Sequence, residues 1–292
     1  MDNARTEWLA RRLSGIGASD AAAVLGVSPW KSPLQLYCEK LKIAEAPQEE
    51  TEAMEWGLLL EPVIADRYAR ETGRQRKRLP PFTIRQSATW PFMLATLDDE
   101  IEAMDSRGPG VLEVKTAGAH KASEWADEPP IFYQIQLQHQ LAVTDYAWGS
   151  LAVLLGGQKF RWMDMERNDQ FIGLLVERER EFWDRVLHHD PPAPDASASA
   201  KEMLRRLYPN DSGASVALPA EALEWDQRRM EALEELKRWE AVKDEAENLL
   251  KASIGDATLG ALSSGVSYSW KTSPRNGYAV KPTTVRTLRR IA

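Results

Sequence analysis

The chain has 292 residues, of which 43% are hydrophobic, so it can bury a sizeable core in one large domain or in one domain with an extension. Its formal net charge of −7 excludes a protein held to DNA by charge alone, and its single cysteine, Cys38, excludes an internal disulfide and a cysteine-rich metal site. The chain contains no apolar stretch long enough to span a bilayer, and its charged N-terminus lacks the apolar run of a signal peptide, so we expect a soluble cytoplasmic protein.

Helical signals dominate the first quarter of the chain. Apolar spacing and capping residues predict helices over 5–13, 18–26, from about Ser32, and over 51–73, where Gly73 ends the last one. Residues 67–78 carry six cationic side chains against one acidic side chain. Residues 217–250, by contrast, are rich in glutamate, and this mixture of signs along the chain is typical of an enzyme that binds metal ions beside a phosphate backbone.

Strand signals follow. Residues 91–104 and "GVLEVKTA" (110–117) are predicted as strands of a hairpin that turns at "SRGPG". A helix over 129–144, a second hairpin over 146–166 that turns at Gly156-Gly157, and a helix over 168–188 come next. The predicted fold class is therefore α/β (α+β), with a mixed sheet flanked by helices.

The composition changes after residue 188. The segment "HHDPPAPDASASA" is rich in proline, alanine and serine, and indicates a core at 1–190, a linker at 191–217 and a C-terminal part at 218–292. That last part is predicted as a long charged helix over 218–253 and a hairpin tail that turns near Asn276-Gly277. The helix has a narrow apolar stripe, which suits either a partner surface or packing against the core.

The chemistry centres on the first hairpin. Glu113 and Lys115 point to one face of their strand, and Asp98 or Asp99, on the preceding strand, lies opposite Glu113. Two carboxylates at this separation repel each other unless a cation lies between them, and hard oxygen ligands suit Mg²⁺ or Mn²⁺. The alternative is an exposed hairpin with a surface Glu–Lys pair.

The helix after the hairpin carries four glutamines. Gln134 and Gln138 lie in an apolar surround and need hydrogen-bond partners, which the neighbouring hairpin would supply. Gln136 and Gln140 fit a half-exposed face better.

Four separated blocks resemble the YqaJ-type viral recombinases, the family that includes the exonuclease of phage lambda. The blocks, which follow the order and spacing of the family, are "EWLARRLSGIGASDAAAVLG" (7–26), "EWGLLLEPVIADRYARETG" (55–73), "LATLDDEI…GVLEVKTA" (94–117) and "YQIQLQHQLAV" (133–143). The third block carries the Asp…(Asp/Glu)-x-Lys pattern of restriction-endonuclease-like nucleases. Two departures are Asp99, where a glycine is common, and the acidic helix 218–253, which has no counterpart in that exonuclease.

The resemblance implies a restriction-endonuclease-like core and Mg²⁺-dependent degradation of linear duplex DNA from 5′ ends, with Mn²⁺ as a possible substitute. The 3′ single strands would pass to an annealing protein, and trimers occur in part of the family. It also implies roles for individual residues. Asp98 and Glu113 would hold the metal with the Val114 carbonyl, Lys115 would position the water, Gln138 would support the site, and Glu61 would hold a metal-bound water.

The resemblance further implies that Arg12 and Ser19 grip the 5′-phosphate and that Lys121 is another phosphate-binding cation. Plainer interpretations remain open: Arg12 as a solvated helix residue, Ser19 as a helix cap and Glu61 as the mark of a kink before Pro62. A DNA-end-binding module with a vestigial site and a structure-specific endonuclease are the competing functions.

Overall fold

The computed structural model of the chain describes residues 2–44, 51–274 and 286–290. The chain forms two compact units, Met1–Pro209 and Asn210–Ala292. The helices are α1 (Asp2–Arg12), α2 (Ala21–Val24), α3 (Pro33–Lys40), α4 (Glu52–Thr72), α5 (Ile131–Thr144), α6 (Asp169–His188), α7 (Ala198–Leu207) and α8 (Ala222–Ile254), with 3-10 helices at Ala18–Asp20 and Ala119–Trp125. The strands are β1 (Ile16–Gly17), β2 (Arg76–Arg78), β3 (Arg85–Gln86), β4 (Met93–Ala95), β5 (Asp99–Ile101), β6 (Gly110–Ala117), β7 (Trp148–Leu155), β8 (Lys159–Glu166), β9 (Leu259–Ala261) and β10 (Ser267–Ser269).

A five-stranded mixed sheet, in the order β2-β5-β6-β7-β8, forms the centre of the first unit. Within this sheet, only β6 and β7 pair in parallel, and α5 provides the crossover between them. The β7–β8 hairpin turns at Gly156 and Gly157, which have φ values of 58° and 73° that glycine adopts without steric cost. This architecture confirms the predicted α/β class with a restriction-endonuclease-like core.

The predicted strand 91–104 is in fact two strands in different sheets. β4 pairs with β1 and β3 in a three-stranded sheet, whereas β5 pairs with β2 and β6 in the central sheet. Residues 96–98 form the break between them, so Asp98 precedes the first ladder position of β5 instead of lying inside a strand.

Helices cover both faces of the central sheet. Leu137 and Leu141 of α5 pack on Val111 and Val153, and Ile172 and Val176 of α6 extend this core. On the opposite face, α4 packs Ile64, Ala65 and Tyr68 on Leu112 and Val114. β6 thus alternates as predicted, with Val111, Glu113 and Lys115 towards α5 and with Leu112 and Val114 towards α4.

The predicted linker 191–217 contains a helix, α7, which belongs to the first unit. Ala200 and Met203 of α7 are buried against α3 and α6, and the Ser32 backbone N–H donates to Ser199 Oγ at 2.9 Å. The serine- and alanine-rich composition concealed this helix because its apolar face needs only a few small side chains. The linker is therefore shorter than predicted.

In the second unit, the predicted helix 218–253 corresponds to α8, none of whose residues is buried. β9 and β10 form an antiparallel pair after it, whereas the predicted turn at Asn276-Gly277 lies outside the described residues. Across the described part of the chain, every helix is too short or too polar to cross a membrane.

Candidate active site

The two charges of β6 lie at the edge of the core. Glu113 is 2% exposed, and Lys115 Nζ lies 2.5 Å from Glu113 Oε1. The Lys115 ammonium also lies 4.9 Å from the centre of the Tyr133 ring, in cation–π geometry. The alternative of an exposed surface pair is therefore wrong, because a carboxylate this deeply buried requires specific partners.

Two glutamines of α5 supply those partners. Gln136 Nε2 donates to Glu113 Oε1 and Gln140 Nε2 donates to Glu113 Oε2, both at 2.6 Å. With Tyr133 they form an i, i+3, i+7 stripe that faces β6. The sequence analysis instead placed Gln136 and Gln140 on a half-exposed face, so this contact was not predicted.

The prediction that Gln138 supports the carboxylates is wrong. Gln138 Nε2 donates to the Glu166 carbonyl at 2.8 Å, and its Oε1 accepts from the Asn168 backbone N–H at 2.9 Å. Two positions along a helix amount to about 200° of rotation, so Gln138 faces away from Glu113 and joins β8 to the start of α6. Gln134 instead donates to the Pro129 carbonyl at 2.6 Å.

Asp98 approaches β6 from the break between β4 and β5. Its Oδ2 accepts a hydrogen bond from the Val114 backbone N–H at 2.7 Å. The N–H and C=O of one strand residue point to the same side, so the Val114 carbonyl also faces the Asp98 side of β6. Asp98, Glu113 and the Val114 carbonyl therefore lie near the end of the β5–β6 ladder where β5 begins.

Asp99 faces elsewhere. Its carboxylate pairs with Arg76 of β2 and is 3% exposed, and Arg76 also pairs with Asp66 of α4. The choice of Asp98 over Asp99 as the carboxylate beside Glu113 agrees with this geometry.

The electrostatics indicate a site with an excess of negative charge. Burial and the charge of Glu113 raise the pKa of Asp98 well above its usual range. Burial and Glu113 likewise raise the pKa of Glu61, on α4. Burial opposes the charge on Lys115, but Glu113 and Asp98 outweigh it and raise the pKa of that ammonium. Lys115 is thus a cation that offsets part of the negative charge.

The residues fit a hard divalent cation. Across residues 2–44, 51–274 and 286–290, no three acidic, histidine or cysteine side chains form a cluster that could hold a metal. Mg²⁺ does not require one, because it keeps several waters and binds through one or two carboxylates and substrate phosphates. Asp98 and Glu113 with the Val114 carbonyl match this donor set, and a cation would remove the repulsion that raises the pKa of Asp98.

Arg12 and Ser19 come together as the sequence predicted. Arg12 Nη2 donates to Ser19 Oγ at 3.3 Å, and the guanidinium lies 4.7 Å from the centre of the Trp8 ring. Trp8 Nε1 in turn donates to Thr96 Oγ1 at 3.1 Å, two residues before Asp98. Trp8 and Thr96, which the sequence analysis did not single out, thus connect the Arg12–Ser19 pair to the carboxylate hairpin.

A buried ion pair supports this region. Asp20, next to Ser19, lies 2.7 Å from Lys40 Nζ, and both side chains are 4% exposed. Lys40 Nζ also donates to the Arg12 carbonyl at 2.9 Å, which fixes the end of α1 against the 3-10 helix Ala18–Asp20. Burial opposes ionisation of Asp20, but Lys40 and Lys31 outweigh it and hold its pKa well below the usual range.

Lys121 lies at the rim. It pairs with Glu124 at 3.0 Å, both side chains being nearly half exposed, in the 3-10 helix Ala119–Trp125. That helix ends at Trp125, whose ring lies 5.4 Å from the ring of Tyr133. A phosphate bound by Lys121 would have to compete with Glu124.

The cationic segment 67–78 is largely neutralised by ion pairs. Arg74 pairs with Asp164 at 2.5 Å, Arg67 with Glu71 at 2.6 Å and Arg76 with Asp66 and Asp99. Arg76 therefore joins α4 to the sheet, and Arg74 joins the α4–β2 connection to β8, whereas the Arg67–Glu71 pair lies within α4.

Residues 7–147 match the model of the YqaJ-like viral recombinase domain. The chain is also 34% identical over 261 residues to the uncharacterized protein YqaJ of Bacillus subtilis (strain 168), a match that covers 88% of this chain and 80% of that protein. The chain belongs to the YqaJ-like viral recombinase family. Family membership confirms the resemblance seen in the four sequence blocks.

Solved structures support the fold of this family member. The alkaline exonuclease LHK-Exo from Laribacter hongkongensis matches with a TM-score of 0.50 and 21% identity, covering 69% of this chain and 97% of that chain. LHK-Exo in complex with dAMP matches with a TM-score of 0.50 and 22% identity, covering 69% of this chain and 96% of that chain.

Proposed function

We propose that this recombinase-family chain is a Mg²⁺-dependent exonuclease that degrades linear duplex DNA from its 5′ ends. The observation that carries the proposal is the convergence of Asp98, Glu113 and Lys115 at one end of β6, with the Arg12–Ser19 pair connected to them through Trp8 and Thr96. The alkaline exonuclease of similar fold supports the reaction class.

Asp98 and Glu113 would hold the metal, with the Val114 carbonyl as a third oxygen ligand, and Glu61 would accept a hydrogen bond from a metal-bound water. A bound Mg²⁺ lowers the pKa of water and offsets the charge that develops on the phosphoryl oxygens. Gln136 and Gln140 keep Glu113 in one orientation, because each of its oxygens accepts a hydrogen bond from one of them.

Lys115 acts as a charged donor in this proposal. Without metal, burial opposes its charge, but Glu113 and Asp98 outweigh burial and raise the pKa of the ammonium. In the proposed reaction the ammonium orients the attacking water or the scissile phosphate. Attack of the water oxygen on phosphorus breaks the bond to O3′ of the terminal nucleotide. A 5′-mononucleotide leaves, and a new 5′-phosphate remains on the shortened strand.

Arg12 and Ser19 would bind the terminal 5′-phosphate, since a guanidinium binds phosphate bidentately and a hydroxyl adds one further hydrogen bond. Each cycle regenerates a 5′-phosphate, so a pocket for it holds the strand in register for the next cut. Lys121 would add a contact at the rim once phosphate replaces Glu124.

The 3′ single strand left by this reaction is the substrate that a single-strand annealing protein requires. We therefore propose a single-strand annealing protein as the partner. We also propose that the protein acts in the cytoplasm of a bacterial host cell. We further propose that it forms a homo-oligomer, trimeric as in relatives, which encloses the DNA.

Digestion of end-labelled linear duplex, with 5′-phosphate or 5′-hydroxyl ends and with Mg²⁺ or EDTA, tests the proposal. We expect Mg²⁺-dependent release of mononucleotides, faster from phosphorylated ends, and no attack on a covalently closed circle. Cutting of the circle would indicate an endonuclease, and metal-independent end binding without cleavage would indicate an end-binding module. Full activity of Glu113→Ala, with exposed Glu102→Ala as the matched control, would overturn the site assignment.

A further inference from the structure

Trp30 exposes most of its ring beside the candidate active site. It is 63% exposed and lies in the loop between α2 and α3. The loop is held in shape by Ser28, whose Oγ accepts hydrogen bonds from the backbone N–H groups of Trp30 and Lys31, both at 3.3 Å. An indole this exposed contributes little to the core, although its backbone is fixed.

Aromatic contacts place Trp30 close to Lys115. The Trp30 ring packs edge-on against Phe132, with centroids 4.9 Å apart, and lies 6.1 Å from the ring of Tyr133. Tyr133 carries the Lys115 ammonium over its ring at 4.9 Å. The Tyr133 ring thus contacts both the Trp30 ring and the Lys115 ammonium of the candidate site.

The loop between α2 and α3 also contacts the segment that contains Ser19. Lys31, the residue after Trp30, lies 3.5 Å from Asp20 and 2.5 Å from Glu39. Asp20 follows Ser19, whose hydroxyl accepts from Arg12 at 3.3 Å. The loop that carries Trp30 is therefore connected both to the proposed 5′-phosphate pocket and to the proposed site of hydrolysis.

We propose that the Trp30 indole is a nucleobase-binding site that stacks on the base of the 5′-terminal nucleotide; this inference rests on the proposed DNA-end function. An exposed aromatic face among cations is the arrangement that binds a nucleobase together with its phosphates, and base–aromatic stacking tolerates every base. Phe132 and Tyr133 brace the ring, so little side-chain entropy is lost when it stacks on the base. Stacking here would hold the terminal nucleoside while its two phosphates occupy the two sites.

Equilibrium binding tests the contact without requiring turnover. The full-length protein is titrated, with Ca²⁺ in place of Mg²⁺, into fluorescent 5′-phosphorylated duplexes that carry either a normal base or an abasic residue at the 5′ end. We expect removal of the base to weaken binding to the wild-type protein about tenfold. Trp30→Ala binds both duplexes equally, at the level of wild type on abasic DNA, and Trp30→Phe recovers part of the difference.

The controls separate the possible failures. Trp225→Ala, also at an exposed tryptophan, should keep the wild-type response, and thermal unfolding should show Trp30→Ala folded like the wild type. If Trp30→Ala loses as much affinity on base removal as the wild type does, the stacking site is overturned and the proposed function stands. If the wild-type protein binds neither duplex and cleaves no linear DNA, the proposed function itself fails.

Discussion

The ammonium of Lys115 lies beside the buried carboxylate of Glu113, with Nζ 2.5 Å from Glu113 Oε1. Both groups lie on the α5 face of β6, and burial strengthens their attraction because water screens it poorly. A cation that binds Glu113 must therefore share the carboxylate with Lys115 or displace the ammonium towards the water or phosphate that it would orient.

Replacement of Lys115 by methionine should separate metal binding from catalysis. We expect the cleavage rate of Lys115→Met to be lower than that of the wild type by at least about 100-fold, because a charged donor near the reacting phosphate is removed. Its affinity for Mn²⁺, measured by calorimetry, should be equal to or higher than that of the wild type, since the competing cation is gone. Lys159→Met, at an exposed lysine, is the matched control, and retained cleavage in Lys115→Met would contradict the assignment.

The glutamines of α5 offer a direct comparison between the contact seen in the structure and the one expected from sequence. Gln140→Ala removes the partner of Glu113 Oε2 and should raise the Mg²⁺ concentration needed for half-maximal activity about 10-fold or more. Gln138→Ala should leave that concentration unchanged but lower the free energy of unfolding by about 1–3 kcal/mol, because the Asn168 N–H and Glu166 carbonyl lose their partner. The reverse pattern would restore Gln138 to the site.

Asp98 and Asp99 should also differ, because we expect substitution of Asp98 to affect activity and substitution of Asp99 to affect stability. Asp98→Asn should abolish cleavage while the protein stays folded, because it removes a proposed metal ligand. Asp99→Asn should lower the free energy of unfolding by about 3 kcal/mol, because the Arg76 guanidinium loses a buried partner. Chemical unfolding and nuclease assays on both variants test these expectations. An equal loss of activity in the two variants, without destabilisation of Asp99→Asn, would contradict the assignment of Asp98 to activity and Asp99 to stability.

In the proposed function, the preference for 5′-phosphorylated ends depends on Arg12. Arg12→Lys keeps the charge but loses the planar fork that matches a phosphate, so cleavage of 5′-phosphorylated ends should slow about tenfold towards the rate on 5′-hydroxyl ends. Arg11→Lys, at the exposed neighbouring position of α1, should keep the preference. An unchanged ratio between the two kinds of end in Arg12→Lys would mean that the phosphate is bound elsewhere.

The Asp20–Lys40 pair should make the fold sensitive to acid. The pKa of Asp20 is lowered in the folded state, so its contribution to stability is complete above the unfolded pKa of about 3.9 and is lost as the pH falls below it. The free energy of unfolding should therefore fall more steeply between pH 5 and pH 2, roughly the range over which such carboxylates titrate, in the wild type than in Asp20→Asn. Asp127→Asn, at an exposed position, should follow the wild type.

Local patterns predicted most of the elements well. α4 begins after Thr51, whose side chain accepts from the Met54 N–H, and ends at Gly73 with φ of 70°, so both ends are encoded by single residues. The β7–β8 turn likewise follows from two adjacent glycines. No comparable residue in the sequence marks the break at residues 96–98. The break separates β4 from β5 because the two strands join different sheets, and sheet membership is decided by tertiary contacts.

The contacts of the candidate site likewise fall into those that local sequence patterns predicted and those that only the tertiary structure decided. Alternation along β6 predicted from sequence alone that Glu113 and Lys115 share a face, because strand geometry repeats every two residues. The choice of Asp98 over Asp99 came from the family pattern, because strand geometry left both open. Only the tertiary structure decided which glutamines meet Glu113, because α5 is buried on most of its surface and its pattern does not mark the face towards the sheet. The Trp8–Thr96 bond and the position of Trp30 over Phe132 and Tyr133 join segments about 90 to 100 residues apart in the chain, and no local preference encodes such contacts.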